Sequence, residues 1–332
     1  MSRPPKPPAA KPAAASRLPV WLPFAASIVI VVGIAAAIAW WPRGAPPEVV
    51  LAPTEPGLVE RVESLYNDIF LTRLTNGYYR LAFGAERLRY VESVVNPADE
   101  LELPVYYTQS MTVGLAFAEK LETAAIIGLG GGRTAWYIHK SVPEIDFTAV
   151  ELDPEVARLA AQYFDVRSED NFTVEIRDGR VHLARNEDTF DLILVDAYRG
   201  PFVPFHLLTK EFYELIAERL NPGGVAVQNV EPTTMLFDSA VATIQSAFDH
   251  TVFFQGQGNI VIVAYNGPEK DEAAIRQLAA ERQAKYGFRY DLTQILTRRF
   301  VPEWNEDTEP LTDDFAPVEF LKAIERHNER QT

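Results

Sequence analysis

The chain has 332 residues, 47% hydrophobic and 23% charged, a globular balance that excludes a wholly disordered or collagen-like protein. It has no cysteine, which removes disulfides, thiolate catalysis, thiolate zinc sites and iron–sulfur clusters. A formal net charge of -15 argues against non-specific nucleic-acid binding, which needs a basic surface to neutralise phosphates.

The charge is unevenly placed. Residues 1–47 carry no Asp or Glu, and Arg3, Lys6, Lys11 and Arg17 fall among the first seventeen, so the acidic surplus belongs to the body. Residues 1–17 are mostly Pro, Ala and basic side chains, a composition that cannot bury enough apolar surface to order itself and predicts a disordered tail. Residues 18–42 hold no charge, and Trp21 to Trp41 is a 21-residue apolar run. That length predicts a transmembrane helix, with Trp21, Trp40 and Trp41 at its two interfaces. A cleaved signal peptide ending at Ala37-Ile38-Ala39 and a buried core helix are the alternatives. The basic residues before the span favour a cytoplasmic N-terminus and an extracytoplasmic body. Residues 43–57, with Pro46, Pro47 and Pro53, read as a stiff linker.

Residues 58–105 predict a small β region. Asn76-Gly77 is a type I′ hairpin signal between runs at 68–74 and 78–83, and Gly84-Ala85 turns the chain into a further strand over 88–91. Tyr107 to Leu121 has helical apolar spacing.

Residues 106–267 predict an α/β domain. Short apolar strands at 124–127, 147–150, 174–176, 192–195 and 225–227 alternate with helical segments, the pattern of a doubly wound parallel sheet. Runs at 251–254 and 260–264, joined through Gly256 and Gly258, predict an antiparallel hairpin that closes the sheet. Residues 268–332 predict a C-terminal helical extension whose first stretch, to Gly287, has mixed charge and reads as a solvated face.

In such sheets ligands bind beyond the carboxyl ends of the strands. The first strand ends in Gly128-Leu129-Gly130-Gly131-Gly132, where glycines let backbone approach a ligand closely; Gly128, Gly130 and Gly132 are candidate contacts, and a tight turn that merely needs glycine is the alternative. The second ends at Glu151, twenty-one residues after Gly130, where a carboxylate can accept from ribose hydroxyls or favour the next helix N-terminus. The third ends at Asp178-Gly179, where the acid either accepts from an adenine amino group or makes an Asp-Gly turn. The fourth ends at Asp196, placed to take a proton from an amine nucleophile or to hold a cation. Together they describe a nucleoside pocket with an acid at its far end. The five histidines have no i, i+4 pair, so no histidine metal site is expected, and no nucleophile elbow or P-loop is present.

Three runs, Ile126 to Gly132, Val150 to Pro154 and Asp191 to Asp196, resemble the spermidine synthase (polyamine aminopropyltransferase) family. Ser64-Leu65-Tyr66-Asn67-Asp68-Ile69 resembles its opening S-x-Y-Q-x-I element, and Leu311 to Glu319 resembles the closing stretch of its membrane-associated bacterial branch. The resemblance implies a methyltransferase-like Rossmann domain after a β region. It implies aminopropyl transfer from decarboxylated S-adenosylmethionine to a small-molecule amine, with methylthioadenosine released and no metal. It further implies a bacterial inner-membrane protein crossing once and, as in relatives, a homo-oligomer. By that likeness Asn67 takes the place of a cofactor-binding Gln, Glu151 holds ribose, Asp178 adenine, and Asp196 is the base. Tyr107 and Gln109 occupy the family's Y-x-E, and Tyr198 lies in its D-[ST]-x-D-P element.

The likeness is uneven. Gly131 stands where the family's G-G-G-D-G has Asp, Gln109 where Y-x-E has Glu, Val113 where a nearby His lies, and Arg199 where the acceptor motif has its second Asp. Each change removes an acid or hydrogen-bond partner for a polycation. Because the glycine and acid motifs are shared with S-adenosylmethionine methyltransferases, a methyltransferase and a catalytically silent membrane-tethered binding domain are the alternatives.

Overall fold

The computed structural model describes residues 55–85, 88–200 and 202–314. The tail, the transmembrane helix and most of the linker expected over residues 1–57, and the motif beyond Asp314, lie outside the described residues. Among the described residues no helix is long and apolar enough to cross a membrane.

The β region is a four-stranded antiparallel meander, β1 (Gly57–Glu63), β2 (Asp68–Arg73), β3 (Tyr79–Ala85) and β4 (Leu88–Val95), paired in sequence order. Ile69, Leu71 and Leu81 are buried against the rest of the molecule, while Phe70 on the opposite face lies under the guanidinium groups of Arg61 and Arg89. The β2–β3 turn differs from the type I′ expectation. Leu74 and Tyr78 bond across three residues, Gly77 alone has positive φ (88°), and the Asn76 side chain accepts from Tyr78 N. Asn76 therefore acts through its side chain while glycine takes the left-handed position. In β4 the register slips: Ser93 faces Leu81 but Val91 faces Ala82, leaving Glu92 as the extra residue of a β-bulge.

The expected helix over 107–121 is two short ones, α1 (Tyr106–Met111) and α2 (Gly114–Phe117), separated at Thr112-Val113. The main sheet then builds by alternation: β5 (Thr123–Ile127), α3 (Arg133–Ser141), β6 (Asp146–Glu151), α4 (Pro154–Tyr163), β7 (Phe172–Ile176), α5 (Gly179–Arg185) and β8 (Phe190–Val195). A short 3₁₀ turn at Phe205–Leu207 leads to α6 (Lys210–Arg219), β9 (Leu220–Val230), α7 (Phe237–Ala247), β10 (His250–Gln255) and β11 (Ile260–Tyr265). The chain continues through α8 (Glu272–Tyr286), α9 (Leu292–Leu296) and β12 (Arg299–Phe300).

Strand order is β12-β10-β11-β9-β8-β5-β6-β7, with β5 to β9 parallel and the β10–β11 hairpin antiparallel, the methyltransferase-like Rossmann arrangement expected. β8 is buried at every position, as its unbroken apolar run requires of a central parallel strand covered on both faces. Two core layers follow, one around Trp136, Phe147 and Phe254, the other around Phe212, Ile216 and Val241. α8 is mostly exposed, as its mixed charge suggests, but it also buries Ile275, Ala279 and Arg282. β12 pairs with β10, so the C-terminal segment adds a strand to the sheet as well as helices.

Candidate active site

A cavity of about 320 Å³ lies beyond the carboxyl ends of β5 to β8, with its other wall supplied by the β1–β2 loop and by β4. The glycine loop forms one side. Gly128, Gly130 and Gly132 have φ of 92°, 53° and 71°, a backbone that side chains rarely adopt. A Cβ on Gly128 would stand 2.4 Å from the carbonyl oxygen of Asp196, so this glycine lets the ends of β5 and β8 meet. Gly130 lines the cavity, whereas Gly132 does not and serves as the N-cap of α3. Gly132, a candidate ligand contact from its place in the loop, therefore lies outside the cavity lining and begins the helix.

Glu151 is buried and clamps the loop. Its Oε2 accepts from the backbone N–H of Leu129 (3.0 Å) and Gly130 (3.3 Å), and its Oε1 accepts from Asp153 N (2.9 Å). Burial pushes its pKa up, against the lowering effect of these N–H groups. A carboxylate has about four acceptor positions, so three backbone bonds leave capacity for a hydroxyl in the cavity. Asp153 is buried too, caps α4 through Glu155 N at 3.0 Å and accepts from the Ser64 hydroxyl, while Asn67 Nδ2 lies 3.4 Å away. This tie places Asn67 and Tyr66 on the cavity wall. Pro154 takes the first helical position, where its missing N–H costs nothing.

Asp178 lines the cavity but is already engaged. It caps α5 by accepting from Val181 N at 2.9 Å, and His206 Nε2 lies 2.8 Å from its other oxygen. The His206 contact is the main reason its pKa is lowered. Asp178 thus caps a helix and lines the cavity at the same time. Gly179 is fixed by packing, since a Cβ there would come within 2.2 Å of the Ile127 side chain.

Asp196 sits at the β8 end. Its Oδ1 accepts from Asn229 Nδ2 at 2.8 Å and its Oδ2 from the Tyr107 hydroxyl at 3.1 Å. Burial raises its pKa to about 6, while the two hydrogen bonds oppose the rise. Burial and the Asp196 charge hold the Tyr107 phenol well above its ordinary value, so it remains a donor. Tyr198 lines the same cavity and donates to Asn229 O at 3.0 Å, and Arg199 lies exposed beside it. Gln109 is not in this group. Its Nε2 donates to Leu103 O at 2.9 Å, and it does not line the cavity, because the single turn of α1 that aims Tyr107 inward turns Gln109 away.

Glu92, Ser93, Asp153, His206 and the supporting Asn229 were not singled out from sequence. Asp153 carried a readable signal as the acid before Pro154 at a helix start. The others reach the site through a bulge, a short 3₁₀ turn and the end of β9, none of which periodicity marks.

Known proteins resemble this chain in sequence and fold. A family model of the spermine/spermidine synthase domain matches residues 104–263. A polyamine aminopropyltransferase from Vibrio vulnificus is 31% identical over 275 residues, covering 80% of this chain and 91% of that protein. Among solved structures, the spermidine synthase from Thermotoga maritima superposes with a TM-score of 0.61 at 19% identity, over 74% of this chain and 85% of that one. A probable spermidine synthase from Corynebacterium glutamicum gives 0.59 at 19% identity, over 78% and 97%.

Proposed function

The chain belongs to the spermine/spermidine synthase family of aminopropyltransferases, and from that premise we propose that it moves an aminopropyl group from decarboxylated S-adenosylmethionine to an amine, with Asp196 as the base. The observation that carries this reading is the half-buried Asp196 carboxyl at the end of β8, held between Tyr107 and Asn229, with its pKa raised to about 6.

The donor's sulfonium is already a good leaving group, so the protein's task is to align the partners and to make the amine neutral. The amine nitrogen attacks the propyl carbon next to sulfur. The new N–C bond takes the amine lone pair, the C–S electrons return to sulfur, and neutral methylthioadenosine leaves. Asp196 takes the proton lost by the amine. A carboxylate with a pKa near 6 is mostly ionised at pH 7 yet more basic than an exposed one, which suits the step. The cradle for the nucleoside is supplied by Gly130, the free acceptor capacity of Glu151, and the walls at Asn67, Asp178 and Gly179.

The acceptor end supports an altered amine. Arg199 lines the cavity beside Tyr198, and its charge repels the second ammonium of a diamine. The reading is tested with the full chain, decarboxylated S-adenosylmethionine and a panel of amines carrying cationic, neutral or anionic tails, following methylthioadenosine by mass spectrometry. Release is expected with at least one amine and should fall by roughly 100- to 10,000-fold in Asp196→Asn. Turnover that survives this change removes Asp196 as base, and methylation from S-adenosylmethionine would replace the reaction altogether.

A further inference from the structure

We propose that Glu92, the bulged residue of β4, is the anionic partner of the donor's primary ammonium and selects the decarboxylated donor over S-adenosylmethionine itself. The proposal rests on the aminopropyl reading above.

Five carboxylates line the cavity: Glu92, Glu151, Asp153, Asp178 and Asp196. Four are committed. Glu151 holds three backbone N–H groups, Asp153 holds Ser64 and a helix cap, Asp178 holds His206 and a cap, and Asp196 holds Tyr107 and Asn229. Glu92 differs: its Oε1 is buried with no hydrogen-bond partner. A buried carboxylate oxygen left unmatched is costly unless a ligand completes it. Burial and the facing acids Asp196, Glu151 and Glu231 push its pKa well up, the signature of a site short of one positive charge.

The bulge explains how it gets there. A regular strand would point Glu92 and Ser93 to opposite faces, but the extra residue lets both line the cavity. Ser93 Oγ accepts from Gly131 N at 2.8 Å, so the bulge rests directly on the glycine loop that faces the donor. Glu92 also lines a smaller adjoining cleft with Leu129, Tyr107 and Asp196. It therefore lies between the loop that approaches the nucleoside and the base at the reacting end. The loop itself can offer no acid, because a Cβ on Gly131 would meet the Phe164 ring at 2.5 Å and Ser93 Cβ at 2.7 Å. The donor's tail is a propylammonium; in S-adenosylmethionine the same carbon carries a carboxylate. The ammonium of the first draws Glu92 into its ionised form and pairs with it; the added carboxylate of the second opposes that ionisation and weakens the pair.

The test is calorimetric binding of methylthioadenosine, decarboxylated S-adenosylmethionine and S-adenosylmethionine to the full chain and to Glu92→Gln. Methylthioadenosine lacks the amine, so its affinity should be unchanged, which also shows that the variant is folded. Decarboxylated S-adenosylmethionine should bind about 10- to 100-fold more weakly to Glu92→Gln, and the preference over S-adenosylmethionine should narrow by a similar factor. Equal affinity of both proteins for the decarboxylated donor overturns the proposal while leaving the aminopropyl reading intact. So does an unchanged donor affinity with a raised acceptor KM. A wild-type chain that binds no decarboxylated donor sinks the reading beneath it. Should Glu92→Gln fail to fold, the wild type decides alone in buffers of different ionisation enthalpy. The ammonium forces Glu92 to ionise beside Asp196, Tyr107, Glu151 and Glu231, so the decarboxylated donor should release more protons than methylthioadenosine at pH 7, and equal release overturns the proposal.

Discussion

Tyr107 gives the residue-scale test of how Asp196 is tuned. Burial drives the Asp196 carboxyl toward its neutral form, and the phenol and the Asn229 amide pull it back by donating to the ionised form. If Asp196 is the base, it must be ionised to act, so kcat/KM should rise with pH through about 6 and level off above it. Tyr107→Phe removes one of the donors that favour the carboxylate. The limb should then move to higher pH, with the rate at pH 8 falling less than the rate at pH 6. A limb that stays in place, or moves down, would show that Tyr107 does not set the acidity of Asp196. The same scale explains what the sequence revealed of the site. Asp196, Glu151 and Asp178 were readable because each ends a strand, and the carboxyl ends of a parallel sheet are where ligands bind. Their actual partners were not readable. His206 lies 28 residues from Asp178 and Asn229 lies 33 from Asp196, separations that only the folded chain closes.

At the scale of elements, the glycine loop and the β4 bulge act as one piece. Gly131 N donates to Ser93 Oγ, and the space a side chain at 131 would need is filled by Phe164 and Ser93. Replacing Gly131 by Asp, which would restore the acid of the family's loop, should therefore misfit. Forcing a side chain into this packing should cost about 1–3 kcal/mol, seen as a lower midpoint in urea with an unchanged slope. Donor affinity should not improve. A Gly131→Asp chain of wild-type stability with tighter donor binding would mean that the acid has room and that Glu92 is not its substitute. The bulge was invisible in sequence because the run 88–91 reads as an ordinary strand, and the slip depends on pairing with β3. Gln109 was misplaced for a related reason. Motif position says which residue follows Tyr107, but only the short α1 helix decides which way it turns.

At the scale of the whole molecule, the seven main-sheet strands expected from sequence are all present, because apolar runs with turn residues between them report burial directly. What periodicity did not report is how the C-terminal segment is joined to the rest. α8 looks like an exposed, mixed-charge helix, yet its Arg282 is buried and donates to the carbonyls of Leu115 and Ala118, both at 2.6 Å, and of Glu119 at 3.0 Å. These carbonyls lie within and just after α2, where a helix end leaves oxygens without partners. One guanidinium thus closes the end of one helix and anchors another 163 to 167 residues away. Arg282→Met keeps much of the stem's packing but strips the donors, leaving buried carbonyl oxygens unmatched. The loss should be about 3 kcal/mol. If α8 is part of the sheet's cooperative unit, as the pairing of β12 with β10 implies, that loss should shift a single unfolding transition in which tryptophan fluorescence and far-ultraviolet dichroism coincide. An early separate transition, with the remaining structure as stable as before, would instead make the C-terminal segment an appendage outside the sheet's cooperative unit.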